Sequence, residues 1–202
     1  MEFRMKKIVV GLTGASGSIY FHQLLHTLME QEIIIHIIAT EHGAMVLEYE
    51  TGVKLEELVK VLNDNGGKGQ IILENNNNLF SGVASGSYPC DAMVIIPCSM
   101  STLAEISNGI TKNLLTRAAD VFIKEKRKLV IVPRETPLST IHLKNMYELS
   151  KLGVTILPAM PGFYNHPKNM DDIVKFVVGK TFDSLGFEHN SYDRWRGNYE
   201  NE

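Results

Sequence analysis

Four stretches of this chain, KIVVGL, IIIHIIA, AMVII and LVIV, are almost continuously apolar and rich in β-branched residues. A strand buried on both faces reads this way, whereas a strand with one wet face alternates apolar and polar residues. Segments with helical periodicity separate them. Such alternation needs crossover connections, and therefore a parallel sheet with helices on both faces. The expected architecture is a three-layer αβα sandwich with a mostly parallel sheet, in one domain over residues 1–202. Strands are expected at 7–12, 33–39, 70–73, 92–96, 129–132 and 154–157. Helices are expected at 18–31, 41–50, 55–62, 101–107, 113–124, 140–152 and 170–185. The ENNNN run reads as a solvated loop. The tail from about residue 186 loses periodicity and is expected over the site or against a neighbouring subunit.

With 44% hydrophobic residues the chain can fill a sizeable core. Its 20 basic and 23 acidic residues give a net charge of -3, which excludes a broad basic footprint for nucleic acid. Cys90 and Cys98 form no CxxC pair, pointing to a reducing compartment. The opening MEFRMKKIVVGLTG enters a strand with no secretory leader, and no apolar run is long enough to span a membrane. Met5 is a second plausible start. A soluble cytoplasmic protein is expected.

In an open α/β sheet, ligands bind beyond the carboxyl ends of the strands. The first strand ends in LTGASGS, where a helix amino terminus with Ser16 and Ser18 suits a phosphate. It is neither a dinucleotide GxGxxG nor a P-loop. The second strand ends in Thr40. The strand at 92–96 ends in PCSMST, whose Ser99, Ser101 and Thr102 offer an anion site or simply a helix cap. The strand at 129–132 ends in PRETP, where Arg134 lies at a strand mouth and not on a helix face. The last strand ends in PAMPGFY, carrying Tyr164. Arg117, Lys124 and Lys180 are further cations, although Lys124 opens the run KEKRK and Lys180 ends a helical stretch. His22 and His26 are spaced for a shared metal but lack a third ligand, so no metal is expected. Cys98 has no assignable base and reads as a small buried residue.

TGASGSIY, PCSMSTL, the block NLLTRAADVFIKEKRKLVIVPRETPLSTIHLKNM, PAMPGFY and the ending FVVGK…LG…RW together resemble the UbiX-type flavin prenyltransferases over nearly the whole chain. The resemblance implies a flavodoxin/Rossmann-like α/β fold and a homododecamer that binds FMN and, without a metal, moves a dimethylallyl group from dimethylallyl monophosphate to the reduced flavin. Attachment at N5 and ring closure at C6 give prenylated FMN, the cofactor of a UbiD-type decarboxylase. By position it assigns FMN to Gly14, Ala15, Ser16, Thr40, Ser99, Met100, Ser101, Thr102 and Arg134. The prenyl phosphate falls to Lys124, Arg134, Glu135, Tyr164 and Lys180, partly from a neighbouring subunit. Arg117 matches an arginine near subunit contacts, and Trp195 a tail tryptophan over the site. Lys180 stands where many members carry arginine, so a forked contact becomes a point charge. Glu135 is implied to manage a proton at the phosphate, with Glu50 and Ser16, or the released phosphate, as candidates for the later proton removal. A flavin-dependent cysteine decarboxylase is the nearest alternative, although PCSMST and PRETP differ from its pattern. A non-catalytic FMN carrier is the other.

Overall fold

The structure, a computed structural model, describes residues 5–195. In chain order the elements are β1 (Lys6–Leu12), α1 (Ser18–Leu28), β2 (Ile33–Ala39), α2 (Glu41–Thr51), α3 (Leu55–Asp64), β3 (Gln70–Glu74) and β4 (Ala92–Cys98). They continue with α4 (Met100–Ser107), α5 (Leu114–Lys124), β5 (Lys128–Pro133), α6 (Thr140–Lys151), β6 (Thr155–Ile156) and α7 (Met170–Leu185). The strands form one sheet in the order β3-β2-β1-β4-β5-β6. Every pairing in it is parallel.

Alternate strand residues feed opposite cores. Ile8, Val10 and Leu12 pack with α1, α3 and α7, whereas Val9, Met93 and Ile95 pack with α4 and α5. On β1, β2, β4 and β5 both faces are therefore dry, which is why these strands carry no polar alternation. The exception inside IIIHIIA is His36, only 4% exposed, whose Nδ1 lies 2.8 Å from Glu74 Oε1 and whose Nε2 lies 3.1 Å from the Tyr88 hydroxyl.

Strand order reverses between β1 and β4, opening the crevice where such sheets bind ligands. Their pairing ends at Gly11 and Ile95. Beyond it, Thr13, fully buried, donates its hydroxyl to Pro97 O at 2.8 Å and accepts Ser99 N–H at 2.8 Å. Replacing it with valine would leave both backbone groups unpaired. Two glycines let α2 approach this point. A Cβ on Gly14 would lie 2.9 Å from His42 Cβ, and one on Gly43 would lie 2.7 Å from Leu12 O.

Several boundaries differ from expectation. α1 stops at Leu28 because the chain turns there, with Met29 O accepting Lys68 N–H at 2.9 Å. β6 shrinks to two residues at the sheet edge, although Leu157 and Ala159 N–H still reach Ile131 O and Pro133 O. ENNNN is more than a solvated loop. Asn76 clips the start of α5, accepting Leu114 N–H on its backbone O at 2.8 Å and Leu115 N–H on Oδ1 at 3.0 Å.

Candidate active site

Three strand ends converge on the crevice. The turn after β1 delivers α1 through Gly17, in the left-handed region at φ 111° and without a side-chain cap of its own. The cap comes from α2: Glu50 Oε2 accepts Gly17 N–H at 3.0 Å and Ser18 N–H at 2.8 Å. Partial burial works against charge on Glu50. The Ser16 hydroxyl and the Ser18 and Gly17 N–H groups outweigh it, holding the carboxyl below the ordinary range. The helix terminus that the sequence offers to a phosphate is thus filled by the chain's own carboxylate.

Glu50→Gln tests this cap. A folded-state value below the unfolded one means that the charge stabilises the fold fully above the unfolded value and loses that effect as pH falls through the folded one. The urea midpoints of wild type and variant are expected to differ at pH 7 and to converge in acid, below the ordinary carboxylate range.

The second helix terminus is differently arranged. Ser99 caps α4, accepting Thr102 N–H at 3.3 Å while its hydroxyl donates to Thr102 Oγ1 at 3.1 Å. This leaves the first-turn N–H groups of Met100 and Ser101, and the exposed Ser101 hydroxyl, for an anion. Thr40 is half-consumed in the same way, capping α2 through Gly43 N–H at 3.0 Å.

Arg134 joins these pieces. Its N–H donates to Cys98 O at 3.3 Å and its Nε to Ser16 O at 3.1 Å, linking the ends of β5 and β4 to the β1 turn. Nη1 and Nη2 have no hydrogen-bond partner among the described residues. Glu135, exposed, accepts Thr136 N–H at 3.0 Å and has no ion-pair partner among the described residues. Arg134 and Glu135 border a cleft of about 80 Å³, lined also by Leu138, Met146, Pro158 and Met160. That volume is far below the several hundred Å³ of an enclosed flavin-sized pocket. A larger cleft of about 580 Å³ opens beside Thr40, between α2, α3 and the 74–77 loop. The cleft of about 620 Å³ between α1 and the tail contains none of the expected site residues.

The other expected residues lie elsewhere. Tyr164 and Trp195 form a second group, with Tyr164 edge-on to Phe176 of α7 at 5.8 Å and to Trp195 at 6.2 Å. Lys180 Nζ is 3.7 Å from Asp183. Lys124 ends α5, paired with Glu125, and α5 runs back to the start of β5. It therefore sits at the opposite edge of the sheet from Arg134, about 20 Å away for six strand residues. Arg117 is tied down within its own chain, by Nε to Ala84 O at 3.2 Å and Nη1 to Asp120 at 2.8 Å. No hydrogen bond or ion pair among the described residues joins these groups to Arg134. Cys98 is fully buried, and burial pushes its thiol well up, which removes it as a nucleophile.

A protein-family model described as Flavoprotein matches residues 2–182. The flavin prenyltransferase UbiX of Alkalihalophilus pseudofirmus is 49% identical over 198 residues, covering 96% of this chain and 99% of its own. The chain belongs to the flavin prenyltransferase family. The crystal structure of a dodecameric FMN-dependent UbiX-like decarboxylase from Escherichia coli O157:H7 matches with a TM-score of 0.88 at 43% identity, covering 95% of this chain and 100% of that one. That of AnUbiX (PadA1) in complex with FMN and dimethylallyl pyrophosphate gives 0.89 at 36% identity, covering 96% and 99%. Ser16, Glu50 and Arg134 meet at the turn after β1 through the Glu50 cap and the Arg134 bond to Ser16 O. Thr13 and the α1 cap by Glu50 were not legible as such, because both are contacts between residues far apart in sequence.

Proposed function

We propose that this protein transfers the dimethylallyl group of dimethylallyl monophosphate to reduced FMN, releasing phosphate and giving prenylated FMN. The observation that carries the reading is Arg134: anchored by Nε to the flavin-side turn, with its Nη fork open, and followed at once by Glu135 at the cleft. Thr40, the open α4 terminus and the 14–16 turn are groups that suit a phosphorylated flavin. When bound, reduced FMN supplies the nucleophilic N5, and C6 for ring closure.

Around it, the chain's residues have separable tasks. Breaking an allylic C–O bond leaves negative charge on the phosphate. Arg134, Lys180 and Lys124 stabilise that leaving group electrostatically, with no metal assigned. Glu135 shares a proton with the phosphate. Glu50 and Ser16, or the released phosphate, take the proton lost on ring closure. Tyr164 gives its hydroxyl to the phosphate, and its ring, with Trp195, supplies apolar surface for the five-carbon group. Because Lys124 lies at the far sheet edge from Arg134, the complete site is assembled from neighbouring copies, in a dodecamer like that of the E. coli relative. The product is handed to a UbiD-type decarboxylase in the cytoplasm. No helix of the described residues is long and apolar enough to cross a membrane.

Glu135→Gln tests the chemistry apart from flavin binding. Transfer is expected to fall about 100-fold while FMN, followed by its absorbance, still co-purifies. Full transfer by the variant would remove the proton role. A parallel incubation with dimethylallyl pyrophosphate decides between the two leaving groups.

A further inference from the structure

We infer that Asp183 is a positioning residue: it fastens residues 187–195 across α7 and thereby stands Trp195 against Tyr164, forming the wall of the prenyl site. The substrate half of this inference rests on the function proposed above.

Asp183 lies near the end of α7 and collects three donors from the tail that follows. Oδ1 accepts from His189 Nε2 at 3.0 Å and Arg194 Nη2 at 2.6 Å, and Oδ2 accepts the Tyr192 hydroxyl at 2.7 Å. Ser191 N–H donates to His189 Nδ1 at 3.1 Å, so Nε2 carries the proton that reaches Asp183. Partial burial opposes the charge, but Arg194, Tyr192 and His189 hold this carboxyl well below the ordinary range. Asp183 is therefore ionised at neutral pH, the form that accepts all three donors. Burial, and then the Asp183 hydrogen bond, push the Tyr192 phenol up to about 12.

The backbone is shaped for this strap. Gly179 sits in the interior of α7, an unfavourable place for glycine. A Cβ there would lie 2.3 Å from Tyr192 Cδ1 and 2.8 Å from His189 Cε1, so the strap's rings occupy the space a side chain would take. From Tyr192 the ring contacts continue to Phe176 at 5.2 Å, on to Tyr164 at 5.8 Å and then to Trp195 at 6.2 Å. Phe176, Lys180 and Asp183 are spaced i, i+4, i+7, so they share one face of the helix. The carboxylate that ties the strap thus also stands 3.7 Å from Lys180, the cation assigned to the phosphate. Trp195 is 63% exposed, which leaves ring surface for a substrate.

Trp195 is the only tryptophan in the sequence, so its fluorescence reports on the strap alone. In the full-length protein, Asp183→Asn is expected to increase acrylamide quenching of Trp195. With FMN present it should raise KM for dimethylallyl monophosphate about tenfold, the strap then being closed about a tenth of the time. FMN affinity and kcat should change less than about twofold. Gly179→Ala should give the same pair of changes by displacing the strap from beneath. Arg194→Met is read in their place if either variant fails to fold by circular dichroism. Wild-type quenching in the folded variants would overturn the strap, and looser quenching with an unchanged KM would overturn its role in positioning. Wild-type protein that binds FMN but makes no prenylated flavin would overturn the proposed function, and with it the substrate half of this inference. In that case, increased quenching in the variants would still support the fastening by Asp183.

Discussion

Arg134→Ala is expected to lower prenyl transfer about a thousandfold, the loss associated with removing a preorganised donor from developing negative charge. Two defects combine. The Nε bond to Ser16 O disappears, freeing the turn that carries the flavin-side residues. The open Nη fork, assigned to the phosphate, disappears with it. Arg134→Lys should recover little, because a single ammonium cannot hold Ser16 O and grip a phosphate through two parallel bonds. Flavin retention separates the defects: weak FMN binding marks the loosened turn, and slow transfer at saturating FMN marks the lost cation. A fall of less than about tenfold in Arg134→Ala would show that other groups neutralise the leaving phosphate.

The second large effect is a rescue. Lys124→Ala is expected to be nearly inactive alone, as is Arg134→Ala, although the two side chains sit at opposite edges of one sheet. If a site takes Lys124 from one copy and Arg134 from another, oligomers refolded from an equal mixture contain sites with both residues intact. Random mixing makes that fraction about a quarter, so about a quarter of wild-type activity should return. Inactive mixed oligomers would mean that both residues act within the same chain or that Lys124 serves only the fold. Full activity of Lys124→Ala alone would remove it from the site.

The sheet was legible because burial on both faces leaves a plain signature. IIIHIIA and AMVII are apolar for want of any wet side, and the four strands that carry such runs, β1, β2, β4 and β5, lie where the runs predict. Element ends were less legible, since they depend on single caps. Ser99 caps α4 so that the helix begins at Met100 and not Ser101, and Asn113 caps α5 in place of opening it. The site was legible in type and incomplete in arrangement. PRETP announces a charge at a strand mouth, and the structure adds that Arg134 reaches across to Ser16. Serines after the β1 glycines announce a helix terminus fit for an anion, but nothing local reveals that Glu50, more than thirty residues on, already fills it. The tail after Gly186 has no periodicity to read. Its order comes from Asp183 and from a glycine in α7, a combination visible only once the strap lies on the helix.

The most direct test of the whole account is the mass of the flavin. The protein is incubated anaerobically with reduced FMN and dimethylallyl monophosphate, and the released flavin is examined by mass spectrometry. The account predicts a flavin heavier by one five-carbon unit, formed only when protein and prenyl phosphate are both present. Flavin that is bound and released at its original mass would contradict it, leaving a protein that carries FMN without prenylating it.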